Sequence, residues 1–154
     1  MTNEMRLQKA ISNSGVTSRR KAEQFIIDGR VSVNGSIVTE LGTKVTDNDK
    51  VEVDGIPLTK EEKVYILYYK PSGEISTVDD DNNRRTVTSR FAGLNLRIYP
   101  VGRLDYDTSG VLLLTNDGEF TQYMTHPKFE VTKTYRVKVD GILKRHQQKE
   151  MAKG

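Results

Sequence analysis

Two short apolar runs, Ile98–Val101 and Val111–Leu114, enclose the polar stretch Gly102-Arg103-Leu104-Asp105-Tyr106-Asp107-Thr108-Ser109-Gly110. No other feature constrains the fold as much. Each run has the length of a buried strand. The stretch between them has a glycine at each end, so the chain must leave one strand, turn and enter another. A polar loop held between two core strands can present a reactive group rigidly to solvent. A plain hairpin with a charged tip has the same spacing.

The charge of the chain is local rather than general. Its net value is +3, but residues 5–30 carry six Lys/Arg against two acids, and residues 31–54 carry two against five. A second basic block lies in the last fourteen residues. Blocks of this kind suit a polyanion, although solvated helix faces are also basic. There is no cysteine, which excludes disulfides, thiolate ligands and thiol nucleophiles. No apolar run reaches the roughly 18 residues of a membrane span, and no secretory signal is present. A soluble cytoplasmic protein is the expectation.

Along the chain, residues 5–13 read as a helix with Leu7, Ala10 and Ile11 on one face, stopped by Gly15. Ser18 is the expected N-cap of a second helix running to Asp28, with Ala22, Phe25 and Ile26 inward. Its first turn holds Arg19, Arg20 and Lys21, where the helix dipole prefers acids. An anion such as phosphate would relieve that conflict. Val31–Val38 alternates around Asn34-Gly35, a hairpin signal, and Lys50–Val53 is a further strand. Two helices and small strands in about 55 residues make a compact α+β module with a small core.

These residues carry a resemblance. Arg6-Leu-Gln-Lys9-Ala-Ile, Gly15-Val-Thr-Ser18-Arg19-Arg20-Lys21-Ala22 and Ile27-Asp-Gly29-Arg30-Val31-Ser-Val33-Asn34-Gly35 resemble the S4-type RNA-binding domain. The resemblance implies a domain over residues 1–55, with Arg6, Lys9, Ser18, Arg19, Arg20, Lys21 and Arg30 turned to structured RNA. Contacts of that kind go mainly to phosphates and helix shape, giving placement more than sequence readout.

Residues 56–63 are the expected linker. Val64–Tyr69 then reads as a strand, halted by Lys70-Pro71-Ser72-Gly73. Asp79-Asp80-Asp81-Asn82-Asn83 invites comparison with a calcium loop. An EF-hand starting at Asp79 would need glycine sixth and glutamate twelfth, where this chain has Arg84 and Arg90, so a solvated loop is expected. Glu119–Thr125 reads as a helix ended by His126-Pro127, and Lys133–Val139 alternates as a strand. The last residues are helix-prone but have almost no apolar face.

Phosphate-loop, dinucleotide and zinc-protease motifs are all absent, and there are only two histidines. What remains is carboxylate chemistry at Asp105, with Asp107 nearby, a pairing also used in glycoside hydrolysis. A second resemblance narrows this. Lys70-Pro71-Ser72-Gly73, the stretch Gly102–Glu119, His126-Pro127 and Lys133-Thr134-Tyr135 resemble the RNA pseudouridine synthases, in the branch that modifies ribosomal RNA and has an N-terminal S4-type domain. The implied architecture is α+β, the S4-type domain preceding a mixed or antiparallel-sheet catalytic domain over residues 64–154. Later strands of that family's domain, and a basic residue that pairs with its aspartate, have no match after Val139, so the catalytic part is expected to be incomplete.

The resemblance further implies isomerisation of one uridine in ribosomal RNA, with no cofactor and no metal. Asp105 matches the catalytic aspartate, as nucleophile or as base. Tyr135 matches a tyrosine that stacks on the target base, and Arg103 an arginine that takes the place of the flipped-out nucleotide. Lys70 would sit near the pocket, in a structural or RNA-contacting role. The expected partner is ribosomal RNA or a pre-ribosomal particle, with no membrane and no obligatory protein partner. A non-catalytic RNA-binding or ribosome-assembly protein keeping part of the synthase domain is the alternative.

Overall fold

The computed structural model describes residues 4–153. Its first half is built on two helices and a small sheet. Met5–Arg6 (β1) pairs antiparallel with Lys44–Val45 (β4), so the helix expected from residue 5 begins two residues later, as Leu7–Asn13 (α1). Pairing across the module took those two residues from the helix. Arg19–Ile27 (α2) is capped as expected: the Ser18 hydroxyl accepts from the Lys21 N–H, and Asp28 closes the C-terminal end.

Val31–Val33 (β2) and Ser36–Ile37 (β3) form the hairpin, with Asn34 and Gly35 both at positive φ (52° and 84°). That double left-handed turn matches the twist of its strands, and a side chain at Gly35 would strain it. Val51–Val53 (β5) and Ile56–Pro57 (β6) repeat the device around Asp54-Gly55, giving sheet order β3-β2-β5-β6. Ile56 and Pro57, expected in the linker, are thus a strand of this sheet, and Leu58 packs on its core. The second hairpin was hidden because its outgoing strand is only two residues long and contains a proline. The proline sits at the sheet edge, where a missing N–H costs nothing. Leu7, Ile11, Ala22, Ile26, Val31, Val45, Val51 and Val53 make the core between helices and strands.

The second half is organised by a three-stranded antiparallel sheet of order β7-β9-β8: Tyr65–Lys70 (β7), Tyr99–Val101 (β8) and Gly110–Thr115 (β9). Register runs from Tyr65 opposite Thr115 to Lys70 opposite Gly110. The alternation therefore puts Ile66, Tyr68, Lys70, Leu112 and Leu114 on one face, packed on Val87, Ile98, Phe91, Leu96 and Leu104. Gly118–Thr125 (α3) follows, with Asp117 as N-cap, and His126-Pro127 ends it.

The strand expected over Lys133–Val139 does not form. That segment is irregular and exposed, and Arg145–Met151 (α4) beyond it is a short exposed helix. Alternation prepares one face of a strand for burial, but the ladder partner comes from elsewhere in the fold. Neither edge of the sheet, β7 nor β8, pairs with this segment.

Candidate functional site

The connection from β8 to β9 is the expected polar loop, and it is pinned from beneath. Leu104 turns inward onto the second core. Its backbone N–H donates to the Ser76 hydroxyl (3.0 Å), which donates back to the Leu104 carbonyl (2.7 Å). The Thr108 N–H closes a turn onto the Asp105 carbonyl (3.0 Å), and the Gly73 N–H donates to the Tyr106 carbonyl (2.8 Å). With the backbone held at these points, Arg103, Asp105, Tyr106 and Asp107 are left exposed. Among the described residues nothing donates a hydrogen bond to the Asp105 carboxylate, which is free to meet a ligand.

Lys70 supplies the central pin. At the end of β7 its side chain is wholly buried, and its ammonium donates to the carbonyls of Thr108 (2.7 Å), Asp105 (2.9 Å), Pro71 (3.0 Å) and Tyr106 (3.3 Å). Four carbonyl dipoles around one cation replace the water it lost, at least one proton being shared. Burial still pushes the lysine pKa down, partly offset by the charges of Glu74, Asp107 and Asp105. Lys70 thus lies beneath the loop, not on its exposed face. Behind it, buried Glu74 accepts from the Tyr68 hydroxyl and from Arg90 Nε (2.9 Å), fixing the other side of the Pro71–Gly73 turn. Burial, then the neighbouring Glu74, push the Tyr68 pKa up.

Tyr135 is not brought to this loop. It is 59% exposed in the irregular segment after α3, and no hydrogen bond or ring contact ties it to Asp105 or Arg103 among the described residues. Sequence reasoning missed Ser76 and Glu74. Neither belongs to a recognisable pattern, because each acts on residues far along the chain.

The basic residues of the first module divide into two sets. Lys9 forms an ion pair with Glu119 of α3 (2.9 Å), joining the two modules. Arg30 is paired with Asp54 (Nε–Oδ1 2.9 Å) and lies over the Phe25 ring, 3.9 Å from its centroid. Ser18 serves as the α2 cap. Arg6, Arg19, Arg20 and Lys21 are exposed and have no acidic partner among the described residues. The first turn of α2 contains no acid, so three cations stand at its positive end.

No described helix is long and apolar enough to cross a membrane. Among the described residues no cluster of His, Asp or Glu is arranged to hold a metal ion.

Comparison with known proteins gives two family matches. A model described as RNA pseudouridylate synthase matches residues 64–153, and one described as S4 domain matches residues 5–51. The chain is similar to ribosomal large subunit pseudouridine synthase B of Bacillus subtilis, with 59% identity over 137 residues, 89% of this chain and 56% of that protein. It is 42% identical over 153 residues to an uncharacterized RNA pseudouridine synthase of Aquifex aeolicus, covering 98% of this chain and 61% of the other. The protein of Pseudomonas aeruginosa with the same name as the Bacillus one is 42% identical over 142 residues, covering 88% and 36%. The chain thus spans little more than half the length of the first two. A crystal structure of a pseudouridylate synthase matches at 31% identity with a TM-score of 0.44, over 81% of this chain and 54% of that one.

Proposed function

The chain belongs to the RNA pseudouridylate synthase family, and from that premise we propose that it isomerises a uridine of ribosomal RNA to pseudouridine with Asp105 as the acting carboxylate. The observation that carries this reading is the loop itself. Lys70, Ser76 and Gly73 hold its backbone at Leu104, Asp105, Tyr106 and Thr108, while the Asp105 carboxylate stays exposed and without a hydrogen bond from the described residues. A carboxylate on an immobilised backbone has only its own rotamers left to order when it meets its target.

In the isomerisation the N1–C1′ bond breaks, the uracil turns, and a C5–C1′ bond forms. N1 gains a proton and C5 releases one to solvent. An ionised Asp105 can add to the sugar carbon as uracil departs, or remove the C2′ proton that starts an elimination. Either route needs the uridine out of its stack. Arg103, on the same loop, fills the vacated position, and Tyr135 stacks on the extruded base. Residues 1–55, the S4-type domain, dock the RNA through Arg6, Arg19, Arg20 and Lys21, and residues 64–154 carry the chemistry. The names of the Bacillus and Pseudomonas relatives favour large-subunit RNA.

Tritium release from ribosomal RNA labelled at uridine C5 tests the reading. Release by the 154-residue chain and none by its Asp105→Asn variant would support the reading and show that the unmatched later strands are dispensable. Release by both would remove Asp105 from the chemistry. Release by neither, with RNA still bound, would leave an RNA-binding protein without turnover.

A further inference from the structure

A second concave site lies away from the Asp105 loop, where the two modules meet. It is a cleft of about 660 Å³ between the end of α1, the start of α2, β8 and α3. Arg19 enters it from the first module and Arg97 from the second, joined by the side chains of Asn13, Tyr99, Thr121 and His126. No carboxylate lines it, and neither arginine has an acidic partner among the described residues. The neighbouring concavity differs, since there Asp47, Asp49, Glu61, Asp117 and Glu119 outnumber Lys50, Lys60 and Lys63.

The groups converge. A single point beside Gly118 lies 3.4 Å from the Tyr99 hydroxyl oxygen and 3.7 Å from Arg19 Nη2. The Arg97 guanidinium lies 5.8 Å from the centroid of the same Tyr99 ring. His126 Nδ1 accepts from the Lys128 N–H (3.2 Å), so in the neutral ring Nε2 is the donor. Two arginines sharing one cleft with no carboxylate in its wall repel one another, and the Tyr99 hydroxyl, the Asn13 and Gln122 amides and His126 Nε2 add groups able to donate. An oxyanion with several acceptor oxygens answers both conditions, and the guanidinium fork fits phosphate in particular.

We propose that this cleft binds a phosphodiester of the RNA backbone, with Arg19 and Arg97 holding one phosphate between the two modules. The proposal rests on the RNA reading given above and extends it. RNA would then fix how the first module sits against the second, so that docking at the helices sets the approach to Asp105.

The test measures binding of a large-subunit ribosomal RNA transcript across a salt series by the parent chain, Arg19→Gln, Arg97→Gln and the double variant. Each single variant is expected to lower the slope of log K against log salt by about 0.7–0.9, the share of one phosphate contact. The double variant should lose little more than either single one, because both arginines hold the same phosphate. Arg97→Lys keeps the charge and is expected to keep most of the slope. An unchanged slope in Arg97→Gln, with tight binding by the parent, would overturn the inference while leaving the function standing. Fully additive losses in the double variant would overturn the shared phosphate. A parent chain that binds no RNA would end both readings.

Discussion

At the scale of single residues, the site depends on a lysine that never meets solvent. Lys70 gathers the carbonyls of Asp105, Tyr106 and Thr108, so the loop is bent around a cation as it would be around a small metal ion. Lys70→Met would keep much of the volume and strand those carbonyls. Each buried polar group left unpaired costs about 1–3 kcal/mol. Chemical denaturation should therefore report a loss of at least that size, and tritium release should fall with it. Lys70→Arg should not restore release, because a planar fork cannot reproduce a compact ammonium surrounded by carbonyls. Wild-type stability in Lys70→Met would show that the loop holds its own shape. Little of this was legible in the sequence. Lys70 precedes a Pro-Ser-Gly turn, and the resemblance left its role open between structural and RNA-contacting; only the β7–β9 register turns it inward.

At the scale of elements, α3 is set in place by Asp117. This buried carboxylate caps the helix by accepting from the Glu119 and Phe120 N–H groups, and also accepts from the Tyr65 hydroxyl and Lys63. Burial pushes its pKa up, but the bonds from Lys63, Tyr65 and the backbone prevail and hold it at about 2. Since the folded value lies below the unfolded value of about 3.9, the stabilisation is present above about pH 4 and is lost as pH falls toward 2. Asn caps a helix as well as Asp does, so Asp117→Asn can keep the cap while removing the charge and the acceptor that Tyr65 and Lys63 share. It is expected to cost on the order of 1–3 kcal/mol at neutral pH, and its acid-unfolding curve should converge with the parent's by about pH 2. A constant gap across that range would mean the charge does not matter. Here the sequence was informative about type and place: Asp117-Gly118 before an amphipathic stretch opened the helix. It was misleading over Lys133–Val139, where side-chain alternation is present and the backbone partner is not.

At the scale of the whole molecule, two cores are joined by a small polar seam. Leu7, Ile11 and Ile26 belong to one core and Ile98, Leu112 and Leu114 to the other. Between them lie the Lys9–Glu119 ion pair and the close approach of Glu61 to Gly15, where a Cβ would stand 2.6 Å from Glu61 Oε1. A half-exposed ion pair contributes about 0–1 kcal/mol, too little to make the two cores melt together. Ile11→Ala, costing about 2–5 kcal/mol, should lower hydrogen-exchange protection in residues 5–58 and leave β7 to β9 protected as before. Equal loss of protection in both halves would show one cooperative unit.

The sequence alone determined the local elements, because their causes are local: a cap at Ser18, a left-handed turn at Asn34-Gly35, apolar spacing along α1 and α2, and strand runs either side of Gly102–Gly110. It also carried the basic block and the motif stretches by which the family is recognised. Tertiary structure decided what depends on residues distant in the chain. It buried Lys70, clamped Leu104 with Ser76, spent Lys9 and Arg30 on Glu119 and Asp54, and brought Arg19 and Arg97 to one cleft. Hydrogen bonds and charges act over a few ångströms in space, whatever the separation in sequence, so only the folded chain reveals which cations are already paired and which remain free for a ligand.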